Sequence, residues 1–251
     1  MTVHLFDTMG TAVSLRFAHD LPTAATLARV EEAFREFDHR FSLYRGDSEI
    51  SRVARGEIPL HRASVPLREG YAESVEWMRR TDGSFTPHRP DGVVDLSGLV
   101  KAKAIEAAGR ILDSAGATDW LLNAGGDILS QGSFDGAPWQ VGIVDPDDRT
   151  VLLCALGFSG TRRALATSGT AERGEHIWRI GTPGAPAFRQ VSVLADDIVT
   201  ADVLATAILS GGPTRSQTML DEFDVDALMV DDLGRLTATP GLAASARLTA
   251  A

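Results

Sequence analysis

Apolar residues recur at helical spacing through the first half of the chain. Steps of three and four positions place them on one face of a helix, and five residues of the first such segment show the spacing: Leu27, Val30, Phe34, Phe37 and Phe41. The pattern predicts a helix from about Thr23 to Phe41 and a second from roughly Pro66 to Arg80. High alanine content predicts a third helix over Ser97–Ala115. We interpret the phenylalanines as core residues rather than as contacts to a cofactor.

From Trp120 onward the pattern changes to short apolar runs separated by Asp-Gly, Asp-Pro and Pro-Gly turns, which is typical of strands. The predicted strands are Trp120–Leu122, Ile128–Leu129, Trp139–Val144, Val151–Leu156, Ala164–Thr167, His176–Ile180 and Gln190–Leu194. Residues 2–17 predict two further strands around a turn at Met9-Gly10-Thr11. Four more elements complete the chain: a helix at about Ile198–Leu209, a short helix at 214–222 and strands near 226–230 and 235–238.

The order of these elements indicates a fold class. No internal repeat or flexible linker interrupts the chain, and the predicted strands are short and separated by tight turns. We therefore expect one α+β domain over residues 1–251, with a mostly antiparallel sheet and helices packed on one side.

Composition excludes some classes of function. The chain has 251 residues, a net charge of −10 and a pI of about 5.0, so we expect no nucleic-acid partner, because phosphates would meet no neutralising surface. A polyphosphate ligand would have to be attracted locally, by a cation or by aligned N–H groups. Cys154 is the single cysteine and lies in an apolar run, so we expect it to be a buried strand residue rather than a nucleophile.

The chain also lacks the patterns of membrane and export segments. No stretch is long and apolar enough to span a bilayer, and the first residues show no signal-peptide pattern. We therefore expect a cytoplasmic protein without a membrane span.

Asp202 and Thr206 form the first candidate site. They are four positions apart in a predicted helix and therefore share one face. A carboxylate in an apolar stretch costs free energy unless something compensates it. A carboxylate and a hydroxyl are hard oxygen ligands, which suit Mg²⁺. The alternative is that Asp202 favours an early helix turn and that Thr206 only fills space.

Lys101 follows Asp95 by six residues and Gly98 by three. Glycine lets a backbone carbonyl approach a ligand or an ion without a side chain in the way. A lysine near a helix start could neutralise phosphate or pair with Asp95. The alternative is an N-terminal turn that ends in a surface lysine.

Asn123-Ala-Gly-Gly-Asp127 lies between two predicted strands. A Gly-Gly turn presents backbone N–H groups that could bind phosphate oxygens, and Asp127 could enter an active cleft. The same pattern is typical of a tight hairpin, in which Asp127 would be a turn residue.

Thr167-Ser168-Gly169 and His176 form another polar patch, at a predicted strand end. A lone histidine after a loop is usually a surface residue, although a catalytic or ligand role also fits. Together, the candidate residues suggest magnesium-assisted chemistry on a phosphate-bearing ligand, whose identity they leave open.

These residues resemble, in order, the ApbE family of FAD:protein FMN transferases. The matching pieces are Met9-Gly10-Thr11, Phe41-Ser-Leu-Tyr44, Ser48-Glu-Ile-Ser-Arg52, Gly83-Ser-Phe85-Thr86-Pro87, Asp95-Leu-Ser-Gly98-Leu-Val-Lys101, Asn123-Ala-Gly-Gly-Asp127, Ala166-Thr-Ser-Gly169, His176-Ile177 and Ala201-Asp202 with Ala205-Thr206-Ala207. Each piece is weak alone, whereas the ordered series is specific and covers nearly the whole chain. The short link between Phe85 and Asp95 resembles a compact branch of the family found in high-GC bacteria.

The resemblance implies an α+β flavin transferase with FAD as substrate and Mg²⁺ as cofactor. The positions that match FAD contacts are Met9, Tyr44, Ser84, Phe85, Thr86, Asp95, Lys101 and Ile177. The resemblance assigns Mg²⁺ to the carbonyl of Gly98 and the side chains of Asp202 and Thr206, which makes Asp202 catalytic as well. His176 becomes a general base, or orients the attacking hydroxyl. That threonine or serine hydroxyl belongs to an acceptor flavoprotein and attacks the FMN phosphorus, so that AMP leaves.

Some positions differ from the family pattern. The substituted positions are Thr86 for aspartate, Ala102 for glycine, Lys103 and Ala171 for aromatic residues, and Arg179-Ile180 for Asp-Pro. The metal residues are intact, so we expect Mg²⁺ and FAD to bind, while the changes lie on the flavin and acceptor sides. Two alternatives therefore stay open: an FAD pyrophosphatase that produces FMN and AMP, and a flavin-binding protein without turnover.

Overall fold

The computed structural model describes residues 1–169 and 187–247. Its main element is an eight-stranded sheet in which all neighbouring strands are antiparallel. In spatial order the strands are β1 (Thr2–Thr8), β2 (Thr11–Phe17), β3 (Trp120–Ala124), β4 (Asp127–Gln131), β7 (Ala164–Gly169), β8 (Phe188–Ala195), β9 (Asp226–Asp231) and β10 (Leu236–Ala238). The predicted strand His176–Ile180 lies outside the described residues.

Helices cover one face of this sheet. They are α1 (Ala24–Phe41), α2 (Glu49–Ala54), α3 (Val65–Arg80), α4 (Ser97–Ser114) and α5 (Ile198–Glu222), with a 3₁₀ turn at Leu60–Arg62. The short helix α6 (Pro240–Ser245) lies instead on the opposite face, where Leu242 joins the core cluster of the second sheet. The largest core cluster joins α1, α4 and α5 to inward residues of the sheet such as Leu122 and Leu129. Among the described helices, none combines the length and the apolar content that crossing a bilayer requires.

A second sheet covers the opposite face. It has three strands in the order β11 (Ala246–Arg247), β6 (Leu152–Gly157) and β5 (Gln140–Val144). Ile143 and Leu156 of this sheet share a core cluster with Leu121 of β3, whose neighbour Leu122 faces the helices. Alternate strand residues point to opposite faces, so the central strands of the main sheet are buried on both sides, while residues of the edge strands β1 and β10 are exposed. Cys154 lies in the same cluster, as expected, and burial raises the pKa of its thiol.

Side-chain caps explain where several helices begin. Thr23 accepts a hydrogen bond from the backbone N–H of Thr26 at 3.2 Å at the start of α1. Asp197 accepts one from Thr200 at 2.8 Å at the start of α5. Each cap satisfies a backbone donor that has no partner inside the helix. The predicted start of the first helix at Thr23 is therefore confirmed as the capping position.

The α+β class and the mostly antiparallel sheet are confirmed, and α1 to α5 pack on one side of that sheet as expected, whereas α6 lies on the other side. The helices predicted at Ile198–Leu209 and 214–222 are the two halves of α5, which breaks at Gly212 with φ +64° and ψ −171°. The separation of β5 and β6 into a second sheet was not predicted, nor were α6 and β11. Periodicity within a strand does not reveal which sheet the strand will join.

Candidate active site

Lys101 and Asp127 form a buried ion pair between α4 and β4. The Lys101 Nζ contacts Asp127 Oδ2, and the two side chains are 10% and 0% exposed. The other carboxylate oxygen, Oδ1, accepts a hydrogen bond from the backbone N–H of Thr167 in β7 at 3.2 Å. A charge withdrawn from water needs such partners, because an unpaired buried charge is strongly destabilising. Asp127 therefore connects a helix to a neighbouring strand.

This pairing corrects one alternative from the sequence, in which Lys101 pairs with Asp95. Asp95 Oδ1 instead accepts a hydrogen bond from the backbone N–H of Ser97 at 2.9 Å, and it thereby satisfies a donor at the start of α4. Asp127 is the carboxylate that sequence reasoning left among possible turn residues. Its only signal was its position directly after two glycines.

Ser168 connects β7 to α5. Its Oγ lies 3.0 Å from Thr206 Oγ1, so the two hydroxyls form a hydrogen bond. Thr206 follows Asp202 by one helical turn, and Asp202 is 4% exposed. Contacts therefore run from Lys101 through Asp127 and β7 to the helix that carries Asp202. Ser168 was recognised in a motif but was not assigned a role, because a strand serine carries no signal of its own.

The segment that follows α3 and contains Ser84 and Phe85 lies between α4 and α5. A Cβ added to Gly98, in the first turn of α4, would lie 2.9 Å from the ring of Phe85, which is 3% exposed. A Cβ added to Gly211 in α5 would lie 2.9 Å from Ser84 Oγ. Ser84 is 2% exposed, and its hydroxyl has no hydrogen-bond partner among the described residues. The segment therefore brings Ser84 and Phe85 to the helices that carry the predicted metal residues.

Two turns lie side by side at one end of the main sheet. Met9 (φ +49°) and Gly10 (φ +70°) connect β1 to β2, and Met9 packs against two core clusters. A Cβ on Gly125 (φ +61°), in the turn between β3 and β4, would lie 2.5 Å from Thr11 Oγ1. The backbone N–H of Gly126 donates to Asn123 Oδ1 at 2.9 Å. The pairing of Ala124 with Asp127 confirms the hairpin interpretation of this motif, but Asp127 is a buried strand residue rather than a turn residue, and the turn delivers it to Lys101.

The remaining predicted positions differ in their surroundings. Tyr44, after the end of α1, is 81% exposed. Thr86 is half-buried, and its Oγ1 accepts a hydrogen bond from the backbone N–H of His88 at 3.1 Å and donates to Met78 Sδ at 3.6 Å. His176 and Ile177 lie outside the described residues, and so do Ala171 and Arg179-Ile180.

Lys103 does not belong to this group of contacts. Its Nζ lies 3.1 Å from Glu73 and 3.2 Å from Glu106, which places it between α3 and α4. Burial lowers the pKa of Lys103, but the charges of Glu106 and Glu73 outweigh burial, so the pKa is raised overall. Lys103 therefore stays a cation that joins two helices.

The donor atoms near Asp202 fit a hard cation. In the two described ranges, no group of three or more His, Cys, Asp or Glu side chains could hold a metal ion. A metal here would depend on one carboxylate, supplemented by the Thr206 hydroxyl and the Gly98 carbonyl from the adjacent helix. An all-oxygen set with few charges suits Mg²⁺, which keeps several of its waters and also takes phosphate oxygens.

Comparison with known proteins gives a consistent family. A model described as the ApbE family matches residues 9–91 and 87–229. A FAD:protein FMN transferase from Rhodobacter capsulatus is 33% identical over 161 residues, which cover 60% of this chain and 30% of the relative. One from Haemophilus influenzae is 20% identical over 291 residues, covering 89% of this chain and 84% of the relative. The chain spans 30% and 43% of the relatives from R. capsulatus and Klebsiella pneumoniae.

Solved structures share the fold. The flavin transferase ApbE from Vibrio cholerae superposes with a TM-score of 0.79 at 21% identity, over 97% of this chain and 98% of that chain. The ApbE protein from Thermotoga maritima gives a TM-score of 0.77 at 17% identity, over 98% and 99% of the two chains. At these identities the structural similarity establishes the fold alone. The chemistry has to be inferred from the site residues.

Proposed function

The chain belongs to the ApbE family, and from that premise we propose that it transfers FMN from FAD to a threonine or serine hydroxyl of an acceptor flavoprotein. The transfer depends on Mg²⁺ and releases AMP. The relatives from R. capsulatus and H. influenzae carry the name of this activity. We also keep the cytoplasmic location as a prediction from the sequence.

One observation supports this proposal above the others. Residues from four separate motifs are joined by contacts across α4, β4, β7 and α5: Lys101 to Asp127, Asp127 to Thr167, and Ser168 to Thr206. The motifs are far apart in sequence, so no local rule of chain geometry requires them to meet. A cationic group and hard oxygen donors in one region suit a pyrophosphate substrate.

The proposed roles follow from the chemistry of phosphoryl transfer. Lys101 binds phosphate oxygens of FAD, and Asp202, Thr206 and the Gly98 carbonyl would hold Mg²⁺. When bound, that cation supplies neutralising charge to the pyrophosphate. Ser84 and Phe85, which lie against α5 and α4, are assigned to orientation of the substrate on the family resemblance. His176 receives the proton of the attacking hydroxyl, a role that still rests on the family resemblance.

A second candidate function is hydrolysis of FAD to FMN and AMP. It is favoured by Thr86, which replaces the aspartate of the family pattern and whose hydroxyl already bonds to His88 and Met78. A neutral side chain with internal partners contributes less to positioning an acceptor or the flavin. Water would then attack in place of the acceptor hydroxyl.

Product analysis tests both functions. Purified protein is incubated with FAD and Mg²⁺, with and without a flavoprotein domain that carries a candidate threonine. AMP is measured by chromatography, and covalent flavin by fluorescence on a denaturing gel. Transfer requires AMP and a fluorescent acceptor band together, whereas AMP without the band identifies a hydrolase. FAD binding without AMP, in the presence of a competent acceptor, would overturn both and leave a flavin-binding protein.

The metal assignment has its own test. Asp202→Asn removes one negative charge at nearly constant volume and should lower Mg²⁺-dependent turnover by about 100-fold or more, since electrostatic groups at reacting centres contribute on that scale. Asp221→Asn, on the exposed side of the same helix, is the control and should leave turnover unchanged. Full activity of the Asp202 variant would refute the metal assignment.

A further inference from the structure

We propose that Asp127 is a positioning residue, which holds Lys101 and the Thr167–Ser168 segment of β7 in register for the reaction. The inference rests on the proposed function, in which Lys101 binds the phosphates of FAD. Neither the motif comparison nor the metal assignment gives Asp127 a role.

The first support is burial. The Asp127 side chain is 0% exposed, and that of Lys101 is 10% exposed. Asp127 is thus inaccessible to a substrate of any size, while Lys101 keeps a small exposed fraction. Asp127 acts through the groups that it touches and is not a catalytic residue.

Each carboxylate oxygen of Asp127 has a different partner, which is the second observation behind the proposal. Oδ2 contacts the Lys101 ammonium, and Oδ1 accepts from the backbone N–H of Thr167 at 3.2 Å. A lysine side chain has four rotatable bonds, so an unpaired Lys101 would sample several rotamers. The carboxylate restricts Lys101 to one direction.

Ser168, the neighbour of Thr167 in β7, extends these contacts to α5. Ser168 bonds to Thr206 Oγ1 at 3.0 Å, on the helix face that also carries Asp202. One carboxylate thus sets the position of the lysine on α4 and helps to set that of the hydroxyl pair between β7 and α5. The relative placement of the phosphate-binding and metal-binding groups depends on Asp127, and a misplacement of about 1 Å can cost roughly 100-fold in rate.

A double-mutant cycle tests this role. The chains are wild type, Asp127→Asn, Lys101→Met and the double variant, and kcat/KM for AMP release from FAD with Mg²⁺ is measured for each. Asp127→Asn keeps an oxygen for the Thr167 N–H but removes the partner charge of Lys101. We expect it to lower kcat/KM by about 10- to 100-fold alone, and by less than twofold in the Lys101→Met background, because residues that act as a unit are not additive.

A matched control separates positioning from general loss of stability. Asp226 is also the first residue of a strand; it pairs with Arg162 at 3.5 Å and accepts from Thr239 Oγ1 at 2.9 Å. Its register partner Leu194 faces the second sheet, away from Lys101. Asp226→Asn should leave kcat/KM within twofold of wild type, and thermal unfolding of every variant shows whether it is folded at the assay temperature.

Several outcomes would overturn the proposal. Equal losses from Asp127→Asn in both backgrounds would make Asp127 independent of Lys101, and unchanged kcat/KM would deny it any role. If Asp127→Asn does not fold, Asp127→Glu replaces it in the cycle, since it keeps the charge and displaces it by one methylene. If wild type releases no AMP at all, the proposed function fails, and the same cycle is read from FAD affinity in the presence of Mg²⁺. Coupling of Asp127 to Lys101 in that affinity supports the positioning role by itself.

Discussion

At the scale of single residues, Gly98 is subject to two demands. Its carbonyl is a predicted metal ligand, and the ring of Phe85 occupies the space in which a side chain would lie. Phe85 is 3% exposed and belongs to the largest core cluster, so its ring has little room to move. A close approach of this kind explains why a glycine lies in the first turn of a helix, where it is otherwise unfavourable.

We predict that Gly98→Ala destabilises the protein by about 1–3 kcal/mol, because it overpacks the contact with Phe85. The matched control is Gly70→Ala in α3, where the added Cβ would lie at an ordinary 3.4 Å from the Phe41 ring. That change should stabilise by about 0.5 kcal/mol through helix propensity. Urea unfolding of both variants measures the difference, and equal effects would contradict the proposed contact.

A second prediction at this scale concerns pH and Asp119. The pKa of Asp119 is lowered, first by the hydrogen bond from the Ser133 backbone N–H and then by the Thr118 hydroxyl. Because the folded pKa lies below the unfolded one, the carboxylate stabilises the fold above about pH 4, and this stabilisation is lost as the pH falls through the folded pKa.

Asp119→Asn should therefore reduce the free energy of unfolding by up to about 1 kcal/mol at pH 7. The difference from wild type should shrink as the pH falls through the lowered pKa of Asp119 in the folded state, because protonation makes its side chain neutral like that of asparagine. Chemical unfolding measured across this pH range checks the sign. A difference that stays constant from pH 3 to pH 7 would show that the charge does not matter.

At the scale of elements, α5 consists of two helical segments with different tasks. The first carries Asp202 and Thr206, while Arg215 in the second donates to the Asp82 carbonyl at 2.5 Å. The break between them is at Gly212, whose φ of +64° and ψ of −171° are almost exclusive to glycine. Pro213 follows, at the first position of the second segment, where its fixed φ is favourable. The break lets one element contact both β7 and the end of α3.

We predict that Gly212→Ala destabilises the protein by about 2 kcal/mol, because alanine is strained in this backbone region. Pro213→Ala should cost less than about 1 kcal/mol, since that position only begins the second segment. Thermal unfolding of the two variants gives the comparison. A double variant more stable than wild type would mean that a continuous helix is preferred and that the break is not required.

At the scale of the whole molecule, the central strands of the main sheet are buried between a helical layer and a second sheet. Leu156 is fully buried between the two sheets, whereas Leu233, in the turn between β9 and β10, is 73% exposed. Both faces of the main sheet contribute to stability, because apolar surface is removed from water on each face. The candidate active-site residues lie on the helical side, so the second sheet acts on them only through the main sheet.

Leu156→Ala should lower the free energy of unfolding by about 2–5 kcal/mol, as expected for a cavity in a packed core. Leu233→Ala is the control and should change it by less than about 0.5 kcal/mol. Far-ultraviolet and near-ultraviolet circular dichroism should show one shared transition. Two separate transitions would mean that the second sheet unfolds independently of the rest.

Particular elements show how far sequence reasoning extends. The helix that begins after Thr23 was predicted because its apolar period is a local signal, and the break in α5 corresponds to the gap between the helices predicted at Ile198–Leu209 and 214–222. The α+β class followed from the order of such elements. The second sheet was missed because β5 and β6 have the same alternation that they would have within the main sheet. Similarly, Asp95 was the only carboxylate that the sequence suggested as a partner of Lys101, because nothing local indicated that Asp127 would reach it.

The sequence by itself determined the long helices, several turns and the position of Asp202 and Thr206 on one helix face, because these depend on dihedral preferences and on spacing within one element. Only the tertiary structure decided that Lys101 meets Asp127 and that Ser168 meets Thr206. Those contacts join residues that are remote along the chain, and they form when sheet register and helix packing bring their elements together. These contacts are selected by the free energy of burying whole helix and sheet faces. That free energy depends on the complete fold and cannot be read from a short segment of sequence.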